Sequence, residues 1–170
     1  MTFWEYFSFV SLTAISVFSG LCAFLIFFNN PRKKTNILAS LMNVGISAWS
    51  GCWLVQLFSS NYESALFWGR ALNLFAVVLT IFFSHWMMSL LKIDGKIWNK
   101  AALLFGYAFS LFLILADIFT LDFIGSVKTS GFFYYYSYPG LLYIWFLAFL
   151  YFGMTGYSLL SAARAYFMTK

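Results

Sequence analysis

Five apolar blocks, each about twenty residues long, alternate with short polar segments along the whole chain. A helix needs about 20 apolar residues to cross about 30 Å of hydrocarbon, so each block has the length of one transmembrane helix. The pattern predicts an all-α, polytopic transmembrane helix bundle that forms a single membrane domain over residues 1–170. The five spans are predicted at residues 6–28, 36–58, 65–91, 101–121 and 140–163.

The composition excludes an ordinary water-soluble domain. Hydrophobic residues make up 63% of the chain and charged residues 9%, whereas a soluble domain carries roughly 25% charged residues. A protein of this size has too much surface for its volume to bury so many apolar side chains from water. The net charge of +5 is concentrated in short segments beside the predicted spans, where it attracts anionic headgroups. A nucleic-acid partner is therefore not expected.

The basic residues give the chain a predicted orientation. Cytoplasmic loops are enriched in Lys and Arg, and this bias sets topology. The segments on the opposite side hold two basic residues, Arg70 and Lys128. We therefore predict a multi-pass protein of the cell membrane with its amino terminus outside and its carboxyl terminus in the cytoplasm. The remaining eight of the ten basic residues lie in alternate segments: Arg32, Lys33, Lys34, Lys92, Lys96, Lys100, Arg164 and Lys170.

The second predicted helix carries a stripe of small and polar residues. At 100° per residue they fall within about 100° of arc and so share one face. Small residues allow close backbone approach and Ser or Asn can hydrogen-bond between helices, which favours a helix-packing seam. The alternative is that part of this face, including Asn43 and Ser47, lines a ligand pocket. The stripe consists of Asn36, Ser40, Asn43, Ser47, Ser50 and Gly51.

The third predicted helix places Arg70, Asn73, Thr80 and Ser84 on one face. Ionisable residues within a span are costly and usually face the bundle interior or a wet cavity. Asp117 on the fourth helix lies at a similar depth to Arg70, so we predict that these two residues meet. A purely structural ion pair and a sensory role remain alternatives, and Glu63 is the second candidate partner of Arg70.

No catalytic or metal-binding arrangement is recognisable. His85 is a candidate haem ligand or pH sensor, although a local hydrogen bond is the more frequent role of a lone interfacial His. Ser47 and His85 are separated by roughly 13 Å along the membrane normal, too far for a nucleophile and its base. The spacing of Cys22 and Cys52 fits no metal site. We therefore expect a protein without enzymatic activity, cofactor or metal.

The connection between the fourth and fifth predicted helices is rich in aromatic residues, with six aromatics in the seven positions of residues 132–138. Aromatic rings gather at membrane interfaces because one edge is apolar and the other can be hydrated. An interfacial belt is therefore one interpretation. The other is a lid over the outer mouth of the bundle, formed by Phe133, Tyr134, Tyr135 and Tyr136.

Several segments together resemble a known family. They are residues 30–36 (NPRKKTN), a helix with Trp49 and Trp53, residues 63–73 (ESALFWGRALN) and residues 83–85 (FSH). These segments are similar to the seven-helix amino-terminal sensor region of histidine kinases in the bacterial inner membrane. The resemblance implies a role in signal transduction. In that family two more helices and a cytoplasmic kinase, cyclase or PAS module follow, whereas this chain covers five helices.

The expected function follows from this resemblance. It is a membrane sensor or receptor module that detects a ligand or membrane signal and relays it, without catalysis, to a cytoplasmic partner. The alternative is a small structural or assembly subunit of a larger membrane complex. Expected partners are the lipid bilayer, a membrane partner subunit or a cytoplasmic signalling protein, and a second copy in a homodimer. A receptor should have an outward-opening cavity near Asn43, Arg70 and Asn73, whereas a scaffold should bury those residues against another chain.

Overall fold

The computed structural model describes residues 3–129 and 135–168, and it is mostly helical, at 81%. Five helical segments are long and apolar enough to cross a membrane, which confirms the predicted number of helices. The first four are α1 (Phe3–Asn29), α2 (Lys34–Leu57), α3 (Tyr62–Leu90) and α4 (Ile97–Phe119). The fifth segment, here the fifth span, consists of α5 (Leu141–Trp145), a π-helical segment (Phe146–Met154) and α6 (Thr155–Met168).

The helix ends differ from the predicted span ends by up to five residues: the first four helices begin earlier than predicted, and α2, α3 and α4 end one or two residues earlier. The third helix was predicted from residue 65, whereas α3 begins at Tyr62. Its start is set by Asn61, whose side-chain oxygen accepts a hydrogen bond of 2.8 Å from the backbone N–H of Ser64. This is the usual N-cap arrangement, and it satisfies a donor that the first helical turn leaves unpaired.

The helix α3 lies at the centre of the bundle. It packs against α2, α4 and the fifth span, while α1 packs against α2. The main hydrophobic core forms where α3, α4 and the fifth span meet, and its fully buried members include Val77, Leu113 and Leu150. The short connections at residues 30–33 and 58–61 favour antiparallel packing of sequential helices.

The small and polar stripe of α2 packs against α1, as the seam interpretation predicts. The Ser16 hydroxyl donates to the carbonyl of Ser47 over 2.9 Å, and the Ser47 hydroxyl donates to the carbonyl of Ser16 over 2.7 Å. About two helical turns away along α2, Ser40 donates to the carbonyl of Ala23 over 2.7 Å. These bonds satisfy polar groups that would be costly against lipid, so they hold α1 and α2 together.

A short two-stranded β-sheet makes the all-α prediction wrong in this one region. Strand β1 (Ile124–Lys128) pairs antiparallel with β2 (Tyr136–Pro139), with Lys128 opposite Tyr136. Strand β1 contains the β-branched residues Ile124 and Val127, and β2 contains the aromatic residues Tyr136 and Tyr138, both of which types favour strands. The Lys128 ammonium lies 3.3 Å from the centroid of the Tyr138 ring, a cation–π contact that adds to the pairing. The sheet marks what we call the hairpin end of the bundle.

The opposite end, called the basic end, contains the connection between α3 and α4. Lys92 has a positive φ of 55°. The backbone N–H of Lys92 donates to Ser89 O over 3.1 Å, and that of Ile93 donates to Met88 O over 3.0 Å. These two bonds form a Schellman motif, completed by the buried side chains of Met88 and Ile93. The motif ends α3 and directs the chain towards α4.

Three polar contacts tie the helices together at the basic end. The Lys34 ammonium at the start of α2 pairs with the Asp94 carboxylate between α3 and α4, and this hydrogen bond lowers the pKa of Asp94. The buried Asn99 side chain donates to Ile93 O over 2.8 Å and accepts from the Tyr157 hydroxyl over 2.6 Å. The start of α2, the α3–α4 connection and the fifth span are thereby linked.

Candidate functional site

A cavity of about 550 Å³ lies between α2, α3, the hairpin and the fifth span. This volume falls within the range of roughly 300–1,000 Å³ that is typical of small-molecule sites. The wall is predominantly apolar and aromatic, and its polar residues are Gln56, Asn73, Thr80 and Ser137. The rings that line it are those of Trp49, Trp53, Tyr136, Tyr143, Phe146 and Tyr151.

A side-chain hydrogen bond between α2 and β2 fastens the hairpin over the cavity. The Gln56 amide nitrogen donates to the Ser137 hydroxyl over 2.8 Å, and Gln56 is 1% exposed. Gly69 of α3 makes this arrangement possible, because a Cβ at this position would lie 2.6 Å from both Gln56 Nε2 and Ser137 Oγ. The bond joins α2 to β2 directly over α3, and it forms the roof of the cavity.

The polar side chains of α3 that line the cavity donate hydrogen bonds to backbone carbonyls of their own helix. The Asn73 amide donates to the carbonyl of Gly69 over 2.7 Å, and the Thr80 hydroxyl donates to the carbonyl of Ala76 over 2.9 Å. Each bond runs one helical turn back, which is the common way for such groups to be satisfied in a membrane helix. The cavity wall is therefore less polar than its residue types suggest.

Two residues that line the cavity are also exposed at the side of the bundle. Trp53 on α2 is 36% exposed and Tyr151 on the fifth span is 50% exposed. Both residues lie within segments long and apolar enough to cross a membrane. Because α2 and the fifth span do not pack closely against each other, we infer that the cavity opens sideways between them.

The predicted meeting of Arg70 and Asp117 is present, but it lies outside the cavity wall. Arg70 Nε lies 3.8 Å from Asp117 Oδ1, and Arg70 Nη2 donates to Thr120 O over 2.9 Å. The Asp117 side chain is 1% exposed, against 25% for that of Arg70. Within the described part of the chain, neither Asp117 oxygen has a hydrogen-bond partner. The guanidinium group is thus the principal stabiliser of this buried carboxylate.

The other predicted ligand residues are dispersed. Asn73 lines the cavity, whereas Ser47 lies at the α1–α2 seam with its hydroxyl bonded to Ser16. Asn43 donates to the carbonyl of Ala39 within α2, and it does not line the cavity. The polar stripe of α2 therefore faces α1 rather than the cavity.

Sequence reasoning did not identify Gln56, Tyr143, Phe146 or Tyr151 as site residues. Gln56 could have been identified, because an amide side chain near the end of an apolar block needs a hydrogen-bond partner. The aromatic residues of the fifth span had none, because the apolar block around them contains similar rings facing lipid. Their position depends on the π-helical segment, which includes Phe146 and Tyr151.

The aromatic residues of the hairpin take up different positions. Tyr136 lines the cavity, and the Tyr135 ring packs edge-on against Tyr62 with 6.4 Å between centroids. Phe133 and Tyr134, the other two predicted lid residues, lie outside the described residues. Of the two described members of this set, Tyr136 contributes to the cavity wall and Tyr135 does not.

His85 lies away from the cavity wall, near the basic end. Its Nδ1 shares a hydrogen bond of 2.7 Å with the Tyr107 hydroxyl of α4. This contact matches the local hydrogen-bonding alternative for a lone His. Among residues 3–129 and 135–168, no three His, Cys, Asp or Glu residues lie close enough together to hold a metal ion.

Comparison of the chain with protein-family models, curated proteins and solved structures gives no match.

Proposed function

We propose that this chain is a non-catalytic sensor module of the cell membrane, which binds a small ligand in the cavity and relays its presence to a cytoplasmic partner. The observation that carries this proposal is the cavity of about 550 Å³, with an aromatic wall and a few polar groups. Small-molecule sites have this combination of predominantly apolar walls and few polar groups that orient the ligand.

The relay would use the helices that border the cavity. Both α2 and the fifth span line the cavity and continue to the basic end. The fifth span is π-helical from Phe146 to Met154, beside the cavity, and such segments are frequent at functional sites. At the basic end, Tyr157 of α6 bonds to Asn99 of α4. A ligand that widens the cavity would therefore shift the fifth span against α2 and α4.

The relay is tested by filling the cavity and measuring the basic end. In a chain with Cys22 and Cys52 replaced by alanine, nitroxides at Lys33→Cys and Arg164→Cys report the distance between α2 and the fifth span in double electron–electron resonance. Ala76 lines the cavity, so Ala76→Phe should act as an internal surrogate for a ligand and shift this distance distribution. Ala108→Phe adds the same group on the exposed face of α4 and should leave the distribution unchanged. An unchanged distribution in both variants would argue against the relay.

We further propose that the hairpin end faces outwards and the basic end faces the cytoplasm, because the basic residues are concentrated at the latter. The test uses single cysteines at Lys128 or Lys96 in a chain with Cys22 and Cys52 replaced by alanine. A membrane-impermeant maleimide added to intact cells should label position 128, and it should label position 96 only after permeabilisation. Labelling of position 96 in intact cells would reverse the orientation.

A structural or assembly subunit is the second candidate, and α1 favours it. In this 27-residue helix, the buried residues among those described are Leu12 and Ala23, so most of its surface is left for lipid or another chain. Cross-linking through cysteines on exposed α1 positions tests whether another chain covers this helix. An assembly subunit, or a homodimer through α1, should give one discrete cross-linked product, whereas a lipid-facing α1 should give none.

A further inference from the structure

We propose that the cavity takes a single-chain amphiphile with an uncharged polar end, which reaches it sideways from the lipid phase. Its polar end would lie beneath the roof, and its hydrocarbon chain would extend towards the basic end. This inference rests on the proposed function, because the amphiphile would be the ligand that the module detects. Four features of the cavity carry it: its shape, the distribution of its polar groups, the absence of charge and the side opening.

The cavity extends along α3. Its lining residues on this helix run from Leu72 to Thr80, which is about 12 Å at 1.5 Å per residue. Its volume of about 550 Å³ lies within the range of roughly 300–1,000 Å³ that is typical of small-molecule sites. An extended hydrocarbon chain can therefore lie in the cavity parallel to α3.

Polarity changes along this length. Gln56, Ser137 and Asn73 lie towards the hairpin end. Towards the basic end the wall includes Leu79, Leu147 and the rings of Trp49 and Tyr151. Thr80 also lies there, but its hydroxyl donates to its own helix, so it presents mainly its methyl group and an acceptor. The hairpin end therefore holds the amide side chains of the wall and suits a hydrogen-bonding group, whereas the wall towards the basic end is mainly aliphatic and aromatic.

The polar end of the ligand should be uncharged. None of the described residues that line the cavity is Asp, Glu, Lys or Arg. The nearby Arg70 is directed to Asp117 and Thr120 instead. A buried charge without a counter-charge is expensive, so a carboxylate or an ammonium group would be rejected. A hydroxyl, ketone, amide or ester can be satisfied by the side chains of Gln56, Ser137 and Asn73.

The ligand would enter the cavity from the side, because the hairpin end is covered. The Gln56–Ser137 bond and the hairpin cover the hairpin end. On the side, Trp53 and Tyr151 are partly exposed, and they border the opening between α2 and the fifth span. An amphiphile already dissolved in the bilayer would pass between these two rings without crossing water.

The test uses a medium-chain primary alcohol that carries a diazirine in its chain, added to the purified full chain in nanodiscs. After illumination, adducts are mapped by mass spectrometry. We expect adducts on the cavity side of the fifth span, within residues 143–151, that excess unlabelled alcohol removes. Adducts on the exposed surface of α1 should not be removed, and they serve as the internal reference for lipid-phase labelling. The carboxylate and ammonium of the same chain length should not compete.

Two variants narrow the cavity from opposite walls, and one control leaves it open. Ala76→Phe on α3 and Leu147→Trp on the fifth span should each abolish the competable adducts, so that the test survives if one of them fails to fold. Ala108→Phe, on the exposed face of α4, should keep them. Labelling that is identical in all variants, or that no alcohol displaces, would overturn the inference. Competition by the carboxylate as well as by the alcohol would overturn the uncharged polar end.

The two proposals can fail separately. If Ala76→Phe shifts the distance between residues 33 and 164 but the alcohol gives no competable adducts, the sensor proposal stands and the ligand is of another class. If competable adducts form but neither Ala76→Phe nor the alcohol shifts that distance, the cavity binds an amphiphile without relaying it. An amphiphile-responsive sensor requires both results.

Discussion

Replacing Arg70 with alanine should lower the free energy of unfolding in detergent by about 3–5 kcal/mol, because it leaves a buried charge without its partner. Asp117 is 1% exposed, and within the described part of the chain neither of its oxygens accepts a hydrogen bond. The Arg70 guanidinium, with Nε 3.8 Å from Oδ1, is therefore what stabilises the carboxylate. Denaturant titration in mixed micelles provides the measurement.

The reverse substitution should cost less. Without Asp117, Arg70 keeps its hydrogen bond to Thr120 O and its side chain is 25% exposed, so it can extend to the headgroup region. We expect Asp117→Ala to cost about 1–2 kcal/mol. The double variant should be close in stability to Asp117→Ala alone, which gives a large coupling energy in the double-mutant cycle. Additive losses would show that the two side chains do not stabilise each other.

Gly69→Ala should lower the free energy of unfolding by about 2–4 kcal/mol, despite the better helix propensity of alanine. The added Cβ would lie 2.6 Å from both Gln56 Nε2 and Ser137 Oγ, and 3.2 Å from Gln56 Cδ. Gln56 has little room to move because it is 1% exposed. The Gln56–Ser137 bond should break and leave a buried amide unsatisfied.

Gly156→Ala is the matched control, because it makes the same chemical change in another helix. Gly156 lies in α6, and a Cβ there would meet nothing within 4 Å. Alanine should therefore stabilise this helix by up to about 1 kcal/mol. Thermal unfolding of both variants, with hydrogen exchange at β1 and β2 as a second readout, separates a broken roof from a general loss of stability. Equal effects of the two substitutions would contradict the close approach at Gly69.

The helices and the buried ion pair were predictable because each depends on local information. Five apolar blocks of membrane-spanning length need only the chain itself, since a helix satisfies its backbone groups internally. The meeting of Arg70 and Asp117 followed from depth and face on two sequential helices. The Ser16–Ser47 contact follows the same logic, because a polar stripe on α2 must face protein rather than lipid.

The cavity and the hairpin were harder to predict from the sequence, because they depend on residues far apart in the chain. Gln56 and Ser137 are 81 residues apart, yet their hydrogen bond forms the roof. Six aromatics in the seven positions of residues 132–138 gave a strong interfacial signal. The alternation Tyr136-Ser137-Tyr138 indicates a strand, but it covers only three residues and is a weaker pattern than the run of aromatic residues. The composition of the π-helical segment at Phe146–Met154 does not distinguish it from an α-helix, since the same apolar residue types form α-helices elsewhere in the chain.

The packing of α1 on α2 and of α2 on α3 also bears on how the protein is made. Synthesis proceeds from the amino terminus, so each of these helices meets its partner as soon as it leaves the ribosome and enters the bilayer. These sequence-local pairs need little loop closure and should form quickly. The fifth span is synthesised after the first four helices, and it returns to α3 across α4 and the hairpin. The nascent chain therefore acquires these helices in order, and its cavity forms only after the fifth span has entered the bilayer.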